Sequence, residues 1–274
     1  MQRTPLWFAE RVNKITASNV GACLGLVSYT SRKEAYLRAT GNAAAITDGT
    51  ESETRNEACL YGIKNEPIAV KCYEGESGNI VNEAGFVRHP QHAWIGASPD
   101  GFIGKEGMLE VKCPWYHKVP HGKIPMHYYL QMLLQLECTE RKWCDFYSWT
   151  PDASRTFRVL PDPTLFNWLF ENYLVGLYDA IEKKRGDFPS MKPGDKKMIK
   201  EKIQESMDSH IVGTQRTITD MFRMPCPEPD PFSTFSNDGN EDGSNDLSIN
   251  SPVVQEGQAP FKRQRLLVVG GAED

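Results

Sequence analysis

The chain has 274 residues and a mass of 30.9 kDa, enough for one or two domains with a buried core. Hydrophobic residues make up 39% and charged residues 24%, and no run approaches the ~18–20 apolar residues that span a bilayer. The net charge of −5, from 36 acids and 31 bases, argues at face value against a protein that coats nucleic acid.

That charge is an average over unlike segments. Residues 226–259 carry seven acids (Glu228, Asp230, Asp238, Glu241, Asp242, Asp246, Glu256) and no Lys or Arg. Without them the remainder of the chain stands at +2, so a DNA-binding core is not excluded. The opening MQRTPLWFAERV has no apolar leader core. The seven scattered cysteines read as free thiols of a reducing compartment. An intracellular protein with no membrane segment is expected.

In chain order, Ala17–Gly25 and Arg32–Arg38 read as helices. Tyr61–Glu74 is a longer helix; Pro67 is tolerated only in a first turn, which predicts a start near Glu66. Asn79–Arg88 is a strand, and Trp94–Ile103 a second one broken at Ser98-Pro99-Asp100-Gly101. Gly107–Cys113 is a strand that ends at Pro114, which cannot donate to a ladder. Met126–Glu137 repeats its apolar residues at helical spacing. Lys142–Trp149 and Ser154–Leu160 are strands joined by a turn at Thr150-Pro151-Asp152, and Pro163–Lys183 is an amphipathic helix. Interleaved strands and helices predict an α/β core over residues 1–186. Residues 187–224 read as a linker holding an amphipathic helix through Ile199, Ile203, Met207 and Ile211. From residue 225 to 274 the chain is too polar to offset its chain entropy and reads as a disordered acidic tail.

The stretch that points to chemistry is Ser98-Pro99-Asp100-Gly101 followed by Leu109-Glu110-Val111-Lys112-Cys113-Pro114. Side chains alternate along a strand, so Glu110 and Lys112 share a face, and Asp100 on the preceding hairpin strand can approach Glu110. Two adjacent carboxylates repel unless a cation lies between them, and a hard divalent ion with oxygen ligands meets that need. A neighbouring lysine can orient or deprotonate an attacking water and stabilise developing charge. Alone, a Glu-x-Lys strand reads as a solvated face. The spacings Cys113-x-x-x-His117-x-x-x-His121 and His89-x-x-His92 carry zinc-ligand types, but no Cys-x-x-Cys accompanies them and Pro114 and Pro120 break the helical register, so no zinc site is expected.

The company of these residues resembles the lambda-exonuclease and YqaJ-type viral recombinase family of the PD-(D/E)xK nuclease superfamily. The motifs stand in the family's order: Trp7-x-x-x-Arg11, Ile15-Thr16-Ala17-Ser18, Gly62-Ile63-Lys64-Asn65-Glu66, the Asp100 and Glu110-Val111-Lys112 hairpin, and Tyr128-Tyr129-Leu130-Gln131. The resemblance covers Trp7 to about Ala180. It implies a restriction-endonuclease-like core, a central mixed β-sheet flanked by helices. It implies that Asp100, Glu110, the Val111 carbonyl and Glu66 ligate Mg²⁺, with Mn²⁺ able to substitute. Lys112 would activate the water and Gln131 would orient the nucleophile or scissile phosphate. Arg11 and Ser18 would grip a terminal 5′ phosphate, which a guanidinium binds with two parallel hydrogen bonds. Ser98 would add a hydroxyl, and Trp7 and Tyr128 further contacts near the DNA end.

The implied activity is a Mg²⁺-dependent exonuclease acting 5′→3′ on linear duplex DNA and leaving 3′ overhangs for a single-strand-annealing partner, in a homotrimer around the DNA. The alternatives are an endonuclease of the same fold and a non-catalytic, clamp-binding DNA adaptor. Gln215, Ile218, Met221 and Phe222, within 215–222, resemble a motif that docks on a PCNA-type sliding clamp, with Met221 where an aromatic is usual. Lys262, Arg263 and Arg265 form a small basic cluster that reads as a nuclear-import signal.

Overall fold

The computed structural model describes residues 2–42, 53–116 and 119–218. The chain opens with α1 (Pro5–Arg11), β1 (Ile15–Thr16), α2 (Val20–Cys23) and α3 (Arg32–Ala39). The long α4 (Glu53–Ser77) precedes five strands: β2 (Val81–Asn82), β3 (Val87–Arg88), β4 (Ile95–Ala97), β5 (Gly101–Ile103) and β6 (Gly107–Lys112). Then come α5 (Met126–Thr139), β7 (Trp143–Thr150), β8 (Ala153–Val159), α6 (Pro163–Leu169), a π-helical turn (Phe170–Leu174), α7 (Val175–Glu182), α8 (Asp195–His210) and β9 (Ile211–Ile218).

The helix starts follow local chemistry. The Thr4 hydroxyl accepts from the Trp7 N–H ahead of Pro5, Ser31 and Glu34 close a reciprocal capping box on α3, and Asp162 accepts from the Leu165 N–H ahead of Pro163. Nothing on α1 is buried, so no apolar period marks it in the sequence. α4 departs from expectation. It runs through Pro67 instead of starting beside it, giving up one backbone hydrogen bond inside the helix.

Strands sort into two sheets. The larger is mixed, in the order β2-β5-β6-β7-β8-β9; the smaller is β1-β4-β3. β6 and β7 are parallel, a pairing that needs a crossover, and α5 supplies it. Alternation on β6 assigns its faces. Met108 belongs to the main core with α5, whereas Leu109 and Val111 pack with Ala69, Cys72 and Tyr73 of α4. Helices therefore lie on both faces of this sheet.

Two of the runs read as strands divide between the sheets. Asn79–Arg88 becomes β2 and β3, and Trp94–Ile103 becomes β4 and β5. Ser98-Pro99-Asp100 carries the chain from one sheet to the other. Gly101 serves that crossing by its size: a Cβ there would lie 2.1 Å from the Val81 side chain on β2.

The helix expected over 196–211 spans Asp195–His210, and Ile199, Ile203 and Met207 enter the main core. The folded unit thus continues past residue 186, because those residues cover α5 and α6. β9 follows at the sheet edge, with a bulge at Gly213, whose φ of +72° suits glycine. The backbone of Gln215–Ile218 is part of that strand, so the expected clamp-docking segment begins within the sheet. Met221, Phe222, Lys262, Arg263 and Arg265 lie outside the described residues. Cys23, Cys59, Cys113, Cys138 and Cys144 are free thiols, but Cys72 is disulfide-bonded where the sequence reads a thiol. No helix among the described residues is long and apolar enough to cross a membrane.

One polar cluster fastens α4 to the sheet. The buried Asp145 carboxylate accepts from the Tyr73 hydroxyl at 2.6 Å and from Arg158 at 2.8 and 2.9 Å. Hydrogen bonds to a buried charge are worth about 1.5–3 kcal/mol. Tyr73→Phe is expected to lower unfolding stability by about that amount with an unchanged urea m-value; a midpoint equal to wild type would refute the bond's role.

Candidate active site

A cavity of about 190 Å³ opens where β1, β4, β5 and β6 meet the start of the chain, α4 and α5. Its walls carry Trp7, Arg11, Ser18, Glu66, Ser98, Asp100, Glu110, Val111, Lys112 and Gln131, ten of the positions singled out in the sequence. Tyr128 does not line it. Its ring lies under the Lys112 ammonium, 4.9 Å from Nζ to the centroid, a cation–π contact.

Three side chains converge on Glu110, which is 1% exposed. Lys112, two residues along β6, donates to Oε1, and Gln131 of α5 donates to the same oxygen at 2.6 Å. Gln135, one helical turn further, donates to Oε2 at 2.7 Å. The local fold makes this possible: period two on β6 puts Glu110 and Lys112 on one face, and period 3.6 on α5 puts Gln131 and Gln135 on the face opposite them.

Asp100 sits where the chain enters β5. Its N–H donates to the Leu109 carbonyl at 3.1 Å, and its Oδ2 accepts from the Val111 N–H at 2.7 Å. Burial, and then the charge of Glu110, raise its carboxyl well above the ordinary range, against the pull of Lys112. For Lys112, burial works to lower the ammonium, but Glu110 and Asp100 outweigh it and hold the group above its usual value. The floor of the cavity is therefore short of positive charge.

The opposite wall is short of negative charge. Arg11 donates to the Ser18 hydroxyl at 2.7 Å, and its guanidinium lies 4.2 Å from the Trp7 ring centre. Burial pushes it down to about 10, and among the described residues no carboxylate pairs with it. The Trp7 indole N–H donates to the Ser98 hydroxyl at 2.9 Å, which ties α1 to the strand-switching segment. A half-buried guanidinium beside a hydroxyl, with no anion of its own, is built for an anion.

Three lining residues escaped the sequence reading. Gln2 donates to the Pro99 carbonyl at 2.7 Å, and Arg3 pairs with Glu66 at 2.7 Å. Both precede the first recognisable motif, so nothing in their spacing marks them. Gln135 did leave a signal: a lone amide four residues after Gln131 in a helix otherwise buried through leucines.

For a cation the cavity offers the Asp100, Glu110 and Glu66 carboxylates and the Val111 carbonyl. Among the described residues no three Asp, Glu, His or Cys side chains cluster closely enough to cage an ion unaided. The donor set suits an ion that takes one or two carboxylates and completes its shell with water and substrate oxygens.

Residues 6–142 match the family model described as the YqaJ-like viral recombinase domain. A curated relative, the uncharacterized protein R354 of Acanthamoeba polyphaga mimivirus, is 27% identical over 162 residues, 53% of this chain. The chain spans 28% of that relative's length. Among solved structures, an alkaline exonuclease (LHK-Exo) from Laribacter hongkongensis is 26% identical, with a TM-score of 0.50 over 75% of this chain and 99% of that one. The same exonuclease in complex with dAMP aligns at 29% identity and a TM-score of 0.53, with the same coverage.

The proximity of two carboxylates sets a stability expectation. With Asp100 raised, the folded state holds a proton there that the unfolded chain releases; this contribution is complete below the ordinary carboxylate range and is lost as pH rises through the raised value. In chelator at neutral pH, Asp100→Asn should therefore stabilise the protein, by about 0.5–2 kcal/mol. A variant less stable than wild type in thermal melts would contradict the electrostatic reading.

Proposed function

The chain belongs to the YqaJ-like viral recombinase family, and on that premise we propose that it is a divalent-metal-dependent DNA exonuclease working at Asp100, Glu110 and Lys112. Its fold is restriction-endonuclease-like, a mixed sheet flanked by helices, and the alkaline exonuclease neighbours support a DNA exonuclease. The observation that carries the reading is one cavity with two carboxylates and an ammonium on its floor and, on its wall, a guanidinium that no carboxylate of the described residues pairs with.

Asp100, Glu110, the Val111 carbonyl and Glu66 would hold Mg²⁺, with Mn²⁺ as a substitute. The crowding of Asp100 against Glu110, which a cation would relieve, and the all-oxygen donor set fit such an ion. When bound, the ion polarises the scissile phosphate and lowers the pKa of water. Lys112, kept as an ammonium by its two acidic neighbours, orients the attacking water and meets the charge that grows on the phosphate. Gln131, whose amide reaches Glu110, is close enough to direct the nucleophile or the phosphate as well. Arg11 and Ser18 take the terminal 5′ phosphate, and the Ser98 hydroxyl contributes a further donor. Trp7 acts through its neighbours, stacking on Arg11 and holding Ser98.

Anchoring a 5′ phosphate beside the reaction centre gives 5′→3′ degradation of one strand and a 3′ overhang. Such an overhang is the substrate of a single-strand-annealing partner.

On linear duplex with Mg²⁺, Asp100→Asn and Lys112→Ala should each lower kcat by at least about 10²-fold. Chelation should abolish activity and added Mn²⁺ should restore it. Full activity in both variants would remove the catalytic assignment, and cutting of covalently closed circles would turn the exonuclease into an endonuclease.

Arg11→Ala makes a separate prediction. It should erase the preference for 5′-phosphorylated over 5′-hydroxyl ends while leaving cleavage of hydroxyl ends near its original rate. An unchanged ratio of kcat/KM for the two ends would refute the phosphate-binding role.

A further inference from the structure

Gln135 has no part in the chemistry above, yet it touches the centre of it. The side chain is completely buried on α5. Its Nε2 donates to Glu110 Oε2 at 2.7 Å, the oxygen that Lys112 and Gln131 leave alone. The same nitrogen lies 3.5 Å from the Ser98 carbonyl, at the crossing between the two sheets. Its own Oε1 is sealed from solvent and has no hydrogen-bond partner among the described residues. Around it on α5, Leu130, Met132, Leu133, Leu134 and Leu136 are buried and apolar.

An unpaired buried acceptor costs about as much as the bond to a charged Glu110 returns. Methionine has similar length and would fill the space without a polar atom. Fold stability therefore gives little reason to keep a glutamine here. Function gives one. A carboxylate free to rotate about its last bond can present either oxygen, or neither, to a cation in the cavity. Tethering Oε2 from behind leaves Oε1 as the oxygen on the side of Lys112 and Gln131.

We infer that Gln135 is a positioning residue that sets the orientation of the Glu110 carboxylate and so its readiness to bind the divalent cation. This rests on the exonuclease reading above and on Glu110 as a metal ligand. Hydrogen bonds behind a metal ligand typically change metal affinity or activity 10–100-fold. Gln135 is fully buried behind Glu110, so the binding of DNA ends should be indifferent to it.

The test uses the full chain with Gln135→Met, and Gln135→Asn, which keeps an amide too short to reach Glu110. Mn²⁺ binding is measured by calorimetry without DNA, at a temperature where circular dichroism shows each variant folded. Both variants should bind Mn²⁺ about 10–100-fold more weakly than wild type. KM for DNA ends should stay unchanged, and the lost kcat should return as the metal concentration is raised. Wild-type Mn²⁺ affinity in a folded variant overturns the inference while leaving the exonuclease reading intact. Loss of activity that no metal concentration recovers also overturns it, since that is the mark of general damage to the fold. A wild-type protein that neither binds Mn²⁺ nor cleaves DNA overturns both.

Discussion

The burial of one carboxylate governs this site. Glu110 lies in the layer between β6 and α5 at 1% exposure, where an ionised group is tolerated only if it is paired and hydrogen-bonded. Lys112 supplies the charge, and Gln131 and Gln135 supply the bonds. Each partner then restricts an element. Lys112 must remain on the same face of β6, and α5 must present two amides one turn apart at a fixed height above the sheet. The parallel pairing of β6 with β7 helps to fix that height, because α5 is the crossover between them. A helix that slid by one residue would turn leucines toward the carboxylate and strand its charge. The geometry of the Glu110 cluster and the packing of the sheet are thus one constraint.

The second carboxylate arrives by a different route. Asp100 belongs to the three residues that leave β4 in one sheet and enter β5 in the other, and this crossing is short because it is bonded at every step. Trp7 holds Ser98, Gln2 holds the Pro99 carbonyl, and the Val111 N–H holds Asp100 itself. Gly101 lets β2 come close on the far side. Precision at Asp100 therefore comes from contacts with the start of the chain and with β6, as a supported loop and not as part of a long strand.

These two routes differ in how far the sequence discloses them. The Glu110–Lys112 pair was readable because period two is local, and Gln131 because the motif order brought it in. Asp100 was readable as a neighbour through the hairpin with β6. The division of two apolar runs between the sheets was not, because sheet membership is set by distant partners: Ile95 pairs with Ile15 and Ile103 with Val81. α1 leaves no pattern because it buries nothing, and α4 hid its length behind Pro67. Arg3 and Gln2 were invisible, since a polar side chain before the first motif has no spacing to betray a partner 63 or 97 residues away. Gln135 was visible as a residue and passed over. One amide among leucines carries information only when the group it faces is known.

The charge arrangement bears on how the two halves of the cavity cooperate. In about 190 Å³ an uncompensated guanidinium and a pair of crowded carboxylates coexist without collapsing onto each other. Direct pairing of Arg11 with Asp100 or Glu110 would satisfy both and silence both. Arg11 is kept back by the Ser18 hydroxyl and the Trp7 ring, and Glu110 by its three donors from β6 and α5. Glu66, by contrast, is already neutralised by Arg3, so of the three carboxylates it places the least demand on an added cation. An unmet positive charge on one wall and an unmet negative charge on the floor require two ligands of opposite sign, held a fixed distance apart. On the proposed function, a DNA end would meet the first with its terminal phosphate, and a metal ion, with the next phosphate, would meet the second. The separation that prevents internal neutralisation would then be the separation that measures the substrate.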